Sequence, residues 1–148
     1  MHAALAYRLW FRWLLAVTLG VVAGSIGMLL APDLTRRAFG MLNYFSSNYI
    51  DSFGQQPVEY IDLLDGVLGS VMLGWSTALL IIVLGPFRRC ECDGWRVLAW
   101  SVGAWFVPDT LISLTYGFWQ NAILNSVIAG LYAIPLAATY RAVRKTIK

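Results

Sequence analysis

Gly66-Val-Leu-Gly-Ser-Val-Met-Leu-Gly-Trp-Ser-Thr-Ala-Leu-Leu-Ile-Ile-Val-Leu-Gly-Pro-Phe87 contains no charged residue. At ~1.5 Å per residue, a helix of this length crosses a hydrocarbon core ~30 Å thick. Three further stretches match it in length and character: about Trp13 to Ala31, Val97 to Tyr116, and Asn121 to Tyr140. Spanning strands would be about half as long and would alternate apolar with polar, which these do not. Composition agrees, since 59% of the 148 residues are hydrophobic and only 13% charged, too few to cover a water-soluble domain of this size. The expected fold is therefore all-α. It is an integral membrane four-helix bundle forming one domain over 1–148, with spans at about 13–31, 66–87, 97–116 and 121–140 and an outer loop at 32–65.

The first span begins like a signal peptide, with Arg8 and Arg12 before an apolar run, but the run is longer than a secretory core and no small-x-small cleavage site closes it. It reads as a retained span. Basic residues set the orientation. Arg8, Arg12, Arg88, Arg89, Arg96, Arg141, Arg144, Lys145 and Lys148 fall on one side, and only Arg36 and Arg37 on the other. Both termini are thus expected in the cytoplasm, in a plasma (inner) membrane, with the loop 32–65 and a tight turn near Gly117 outside. The net charge of +3 records topology and contact with anionic lipid, not nucleic-acid binding.

Within the outer loop, Leu34, Ala38, Leu42 and Phe45 recur at helical spacing behind Asp33, a possible N-cap. This predicts a short interfacial helix on the outer membrane surface. Aromatic, Ser, Asn, Gly and Gln residues from Tyr44 to Pro57 suit an irregular segment folded over the mouth of the bundle.

Two stripes of small residues stand at four-residue steps: Ala16, Gly20 and Gly24 on the first span, and Gly66, Ser70, Gly74 and Ala78 on the second. Small residues let helix backbones approach where lipid removes the hydrophobic drive. The stripes serve either packing between spans one and two or a homo- or hetero-oligomer.

Asp109 lies where a spanning helix tolerates a carboxylate least, at about 2.5–3.5 kcal/mol for a mid-helix position. Counting back from Tyr116 at ~1.5 Å per residue puts it roughly 10 Å below the outer end of span three. Ser113 sits one turn above it, and Asn125 on span four is near the level of Ser113. Ser25 and Ser70 lie at comparable depth, and Asn121 and Gln120 mark the rim. Thr110, Tyr132, Trp75 and Trp105 are further possible donors, and Pro108 removes a backbone donor beside the carboxylate. The candidate site for a proton or ligand is therefore Asp109, Ser113, Asn125, Asn121, Ser70, Trp75 and Trp105. The alternative is that Asp109, hydrogen-bonded or neutral, simply staples span three to span four.

Other features carry less. Trp10, Trp13, Trp95, Trp119, Tyr116 and Tyr140 fall at span ends, where aromatic belts sit. Cys90 and Cys92 form one Cys-x-Cys without a second ligand pair, so no metal site is expected. The only histidine, His2, stands at the terminus. Haem would need buried His or Met pairs, for which only Met28 and Met72 are candidates. No catalytic residue set and no cofactor is expected.

The order of Leu29-Leu-Ala-Pro-Asp33, Leu64-Asp-Gly-Val-Leu-Gly-Ser-Val-Met-Leu-Gly-Trp75, and Trp105-x-x-x-Asp109-Thr-x-x-Ser113-x-x-x-Gly117 with Asn121 and Asn125 resembles the small four-span bacterial membrane proteins grouped as DoxX-like and BphX-like. The resemblance implies a compact four-helix membrane bundle with redox or aromatic-degradation associations. It brings no catalytic residues to these positions, and Pro108 and the Cys90/Cys92 loop are not part of it. Three expectations follow: a structural or accessory protein or subunit of a membrane complex; a binder or transporter of a small apolar, aromatic or quinone-like molecule at Asp109; or an accessory redox enzyme.

Overall fold

The computed structural model describes residues 2–144, with side chains from residue 6 onward. Lys145 and Lys148 of the basic tail, and the side chain of His2, lie outside the described residues. Among those residues there is no strand. Five helices follow one another: α1 (His2–Leu30), α2 (Pro32–Tyr44), α3 (Gln55–Ile82), α4 (Cys92–Thr115) and α5 (Trp119–Arg144). A 3-10 turn, Ile50–Phe53, precedes α3, and a π-helical turn, Val83–Phe87, prolongs it. Four segments are long and apolar enough to cross a membrane: Ala6–Leu30, Gln55–Phe87, Cys92–Thr115 and Trp119–Arg144.

The helices overrun the predicted spans. An apolar run stops at the first charge, whereas a helix continues as long as backbone hydrogen bonds close, so α3 begins at Gln55 and carries Glu59, Asp62 and Asp65 ahead of Gly66. The expected irregular segment from Tyr44 to Pro57 shrinks accordingly. Asp33 is not an N-cap either: Ala31 holds that position without a side-chain bond, and Pro32 follows at the first helical position. Proline lacks an N–H, so one orphan donor of the first turn is already removed.

The chain divides into two compact units, one of residues 20–77 and one of residues 1–19 and 78–148. In the first, α2 turns its polar side inward. Thr35, Arg36 and Gly40 are buried, while Leu34, Ala38 and Phe45 are exposed and Leu42 is half-buried. Arg36, only 6% exposed, donates Nε–H to Asp51 Oδ1 at 2.9 Å, one terminal N–H to Asp33 Oδ1 at 2.5 Å, and the other to Asp62 Oδ1. One guanidinium thereby ties α2, the 3-10 turn and α3 together. A buried charge is tolerable only when its donors are met, and here three carboxylates meet them. The bond to Asp62 raises the pKa of Arg36 further, more than burial lowers it. Outside this knot, Tyr44 stacks on Tyr49 at 4.2 Å between centroids, and Phe53 meets Tyr49 edge-on at 5.5 Å.

Within this unit α1 and α3 touch at Gly69. A Cβ there would lie 2.8 Å from the Leu29 nitrogen and 2.9 Å from Met28 Cβ. Around Gly20, Gly24, Gly66 and Gly74 an added Cβ would meet nothing within 4 Å. The close approach is thus made by a glycine off the predicted stripe. Ala16 and Ala78, in the other unit, are exposed.

The second unit packs the first part of α1, the end of α3 and its π turn, α4 and α5 around Leu14, Leu79, Val83, Phe87, Leu98 and Tyr132, all at most 1% exposed. Polar side chains pin it. Tyr132 donates to Thr18 Oγ1 at 3.2 Å, and Thr18 returns its own hydrogen to the Leu14 carbonyl at 2.8 Å. Trp13 and Trp95 donate their indole N–H groups to the carbonyls of Leu131 and Leu136. Gly94 allows α4 to lie directly on the π turn, since a Cβ there would fall 2.6 Å from the Phe87 nitrogen.

Candidate functional site

The turn between α4 and α5 sets the geometry of the polar cluster. Tyr116 caps α4, and Gly117 follows with φ 81°, a left-handed conformation that costs glycine little. Gly117 N–H bonds to the Leu114 carbonyl at 3.1 Å and Phe118 N–H to the Ser113 carbonyl at 2.8 Å, the paired bonds of a Schellman motif. The chain therefore reverses within three residues, and Asn121 in the first turn of α5 comes to lie against Ser113 in the last turn of α4. Its Nδ2 donates to Ser113 Oγ at 2.8 Å, and Ser113 donates to the Asp109 carbonyl oxygen at 2.8 Å.

Asp109 itself is more thinly held. Its Oδ1 accepts from Ser113 Oγ and Asn121 Nδ2, both at 3.4 Å, the long end of the hydrogen-bond range. The carboxylate is partly exposed, while Ser113 is buried at 6% exposure. Pro108 lies inside α4, which continues past it to Thr115.

Asn125, one turn along α5 from Asn121, is 3% exposed, and its Nδ2 has no acceptor. The Thr110 hydroxyl is likewise buried without a partner. Thus the structure brings Asp109, Ser113 and Asn121 together, with Asn121 as the cross-helix partner, and leaves Asn125 beside them with an unmet donor. Tyr132, one of the possible donors, is engaged by Thr18 instead. Trp105 stands on α4, one turn before Asp109. Ser70 and Trp75 belong to the other unit, with Ser70 exposed and its hydroxyl turned back to the Gly66 carbonyl at 3.0 Å. Ser25, buried, does the same to Val21.

Sequence reading missed the Arg36 knot. Its only signal was a pair of arginines in a loop that also holds Asp33, Asp51 and Asp62, and spacing alone does not show that one guanidinium reaches all three. Among the described residues, no group of three or more His, Cys, Asp or Glu side chains is placed to hold a metal ion. No family model matches the chain, and neither a curated protein nor a solved structure matches it.

Proposed function

We propose that this chain is a small multi-pass protein of the bacterial inner membrane, both termini cytoplasmic, with a structural or accessory role, alone or as a subunit of a membrane complex. The observation that carries this reading is the 2.8 Å bond from Asn121 to Ser113, beside Asp109. It uses the polar groups of the α4–α5 hairpin on one another, as a staple inside an apolar phase requires. The arginine distribution supports the orientation. The exposed Leu34 and Met41 of α2, with Phe45 at its C-cap and its inner face locked by Arg36, support its lying on the outer membrane surface. The resemblance to DoxX-like and BphX-like proteins fits the same picture.

A second reading is favoured by Asn125. A buried donor without an acceptor costs about 1–3 kcal/mol, so a carbonyl-bearing apolar molecule, quinone-like or aromatic, would gain by supplying one. Asp109→Asn separates the two, because it keeps shape and removes ionisation. Normal assembly with loss of the cellular phenotype would sink the purely structural role; assembly and phenotype both intact would sink the proton or ligand site. A purified preparation carrying a bound chromophore would instead favour the redox enzyme.

A further inference from the structure

Seven described arginines belong to the unit of residues 1–19 and 78–148, and the structure treats them unequally. Arg89 pairs with Glu91 at 2.5 Å and Arg96 with Asp93 at 3.4 Å. Arg8, Arg12, Arg88, Arg141 and Arg144 are exposed, and no carboxylate side chain among the described residues lies within 4 Å of any of them. Of these, Arg8, Arg12 and Arg88 stand at neighbouring levels of the unit. Tyr7 donates its hydroxyl to the Phe87 carbonyl, and their rings stack at 5.6 Å, which fixes both residues at one level of the unit. Arg8 and Arg88, the next residue in each case, share that level. Arg12 lies one helical turn from Arg8 on the same face of α1. Phe11, one turn from Tyr7 on α1, has the Arg88 guanidinium 5.9 Å from its ring centroid.

We infer that Arg8, Arg12 and Arg88 form a binding site for the headgroup of an anionic phospholipid, with the phosphodiester received among three guanidinium groups around Phe11. The inference rests on the membrane reading above. Three like charges gathered without a counter-charge repel one another, and at the end of a membrane helix the available anion is lipid phosphate. Guanidinium groups offer paired donors to phosphate oxygens. Arg12, one turn deeper along α1, reaches the headgroup level by extending its long side chain outward. Exposed Leu9 and Trp13 on the same helix provide apolar surface beside the corner for acyl chains. Arg89 and Arg96, by contrast, already face Glu91 and Asp93.

The test is native mass spectrometry of the full chain, extracted in detergent and mixed with equal amounts of a phosphatidylglycerol and a phosphatidylcholine of the same acyl chains. The wild type should retain phosphatidylglycerol preferentially. Arg88→Gln should weaken that preference about fivefold, the worth of one basic residue near an anionic surface, and R8Q/R12Q/R88Q should abolish it. R141Q/R144Q, which removes two other basic residues, should leave it intact. Inorganic phosphate at equal concentration should not displace the lipid. No preference in the wild type, a preference surviving the triple change, equal loss in R141Q/R144Q, or displacement by phosphate would each overturn the site. A chain recovered in the aqueous fraction without detergent would instead overturn the membrane reading itself.

Discussion

Replacing Gly94 with alanine adds one methyl group where, of all the glycines, a new Cβ would meet its neighbours most closely. The new Cβ would lie 2.6 Å from the Phe87 nitrogen, 2.9 Å from the Pro86 carbonyl carbon and 3.1 Å from Phe87 Cα. All three are backbone atoms of the π turn and cannot swing aside. Restoring ordinary carbon contacts of about 3.5 Å requires α4 to move outward by about 1 Å, which loosens Leu98, one turn further on and fully buried. Overpacking of this kind costs about 1–3 kcal/mol, offset by roughly 1 kcal/mol from the better helix propensity of alanine. Because the atoms met are backbone, the upper part of that range applies, about 2–3 kcal/mol, so the net loss is about 1–2 kcal/mol, or a melting temperature lower by roughly 2–8 °C. Gly103→Ala is the matched control on the same helix, because nothing lies within 4 Å of its Cβ; it should melt at or slightly above the wild type. Thermal unfolding of the detergent-solubilised protein, followed by tryptophan fluorescence, measures both. If Gly94→Ala melts as high as the wild type, or Gly103→Ala falls equally, the close approach of α4 to the π turn is wrong.

Arg36→Gln removes the charge that Asp33, Asp51 and Asp62 share. Breaking a buried pair costs about 3–5 kcal/mol, and since the Asp33 side chain is 60% exposed and so better solvated, a loss near 2–3 kcal/mol is expected, with faster proteolysis between residues 45 and 54. Asn125→Leu replaces an unpartnered buried amide with an apolar side chain of similar size, so stability should hold or rise by about 1 kcal/mol; a clear fall would show that the amide is satisfied in the membrane. If the second functional reading holds, that same stable variant loses the cellular phenotype. Gly74→Leu should leave monomer stability unchanged, because its surroundings within the chain are open, and a loss confined to an oligomeric species on size-exclusion chromatography would place the Gly66–Ala78 stripe in a contact between chains.

The α4–α5 hairpin separates what was legible in the sequence from what was not. Asp109 stood out as a carboxylate in an apolar run, and Gly117 as the turn, because burial cost and left-handed backbone belong to single residues. Depth also placed Ser113 and Asn125 nearby, with Asn121 only at the rim. Which asparagine would reach Ser113 depends on the level at which the turn starts α5, because Asn121 and Asn125 share one face of the helix and differ by a turn, about 6 Å, along its axis. That level is set by the bonds that close the end of α4, which spacing along the chain does not show.

The same division holds elsewhere. The sequence by itself determined that the chain is all-helical with four helices able to cross a membrane, since length and apolarity add up along the chain without reference to any neighbour. It also determined how the arginines distribute between the helix ends. Only the tertiary structure decided that Gly69 and Gly94 make close contacts while the four-residue stripes stay open, that α2 buries Arg36 rather than Leu34, and that the Arg88 guanidinium lies over the Phe11 ring. Each of those outcomes depends on which faces of two segments meet, and that is a property of the pair, written in neither segment alone.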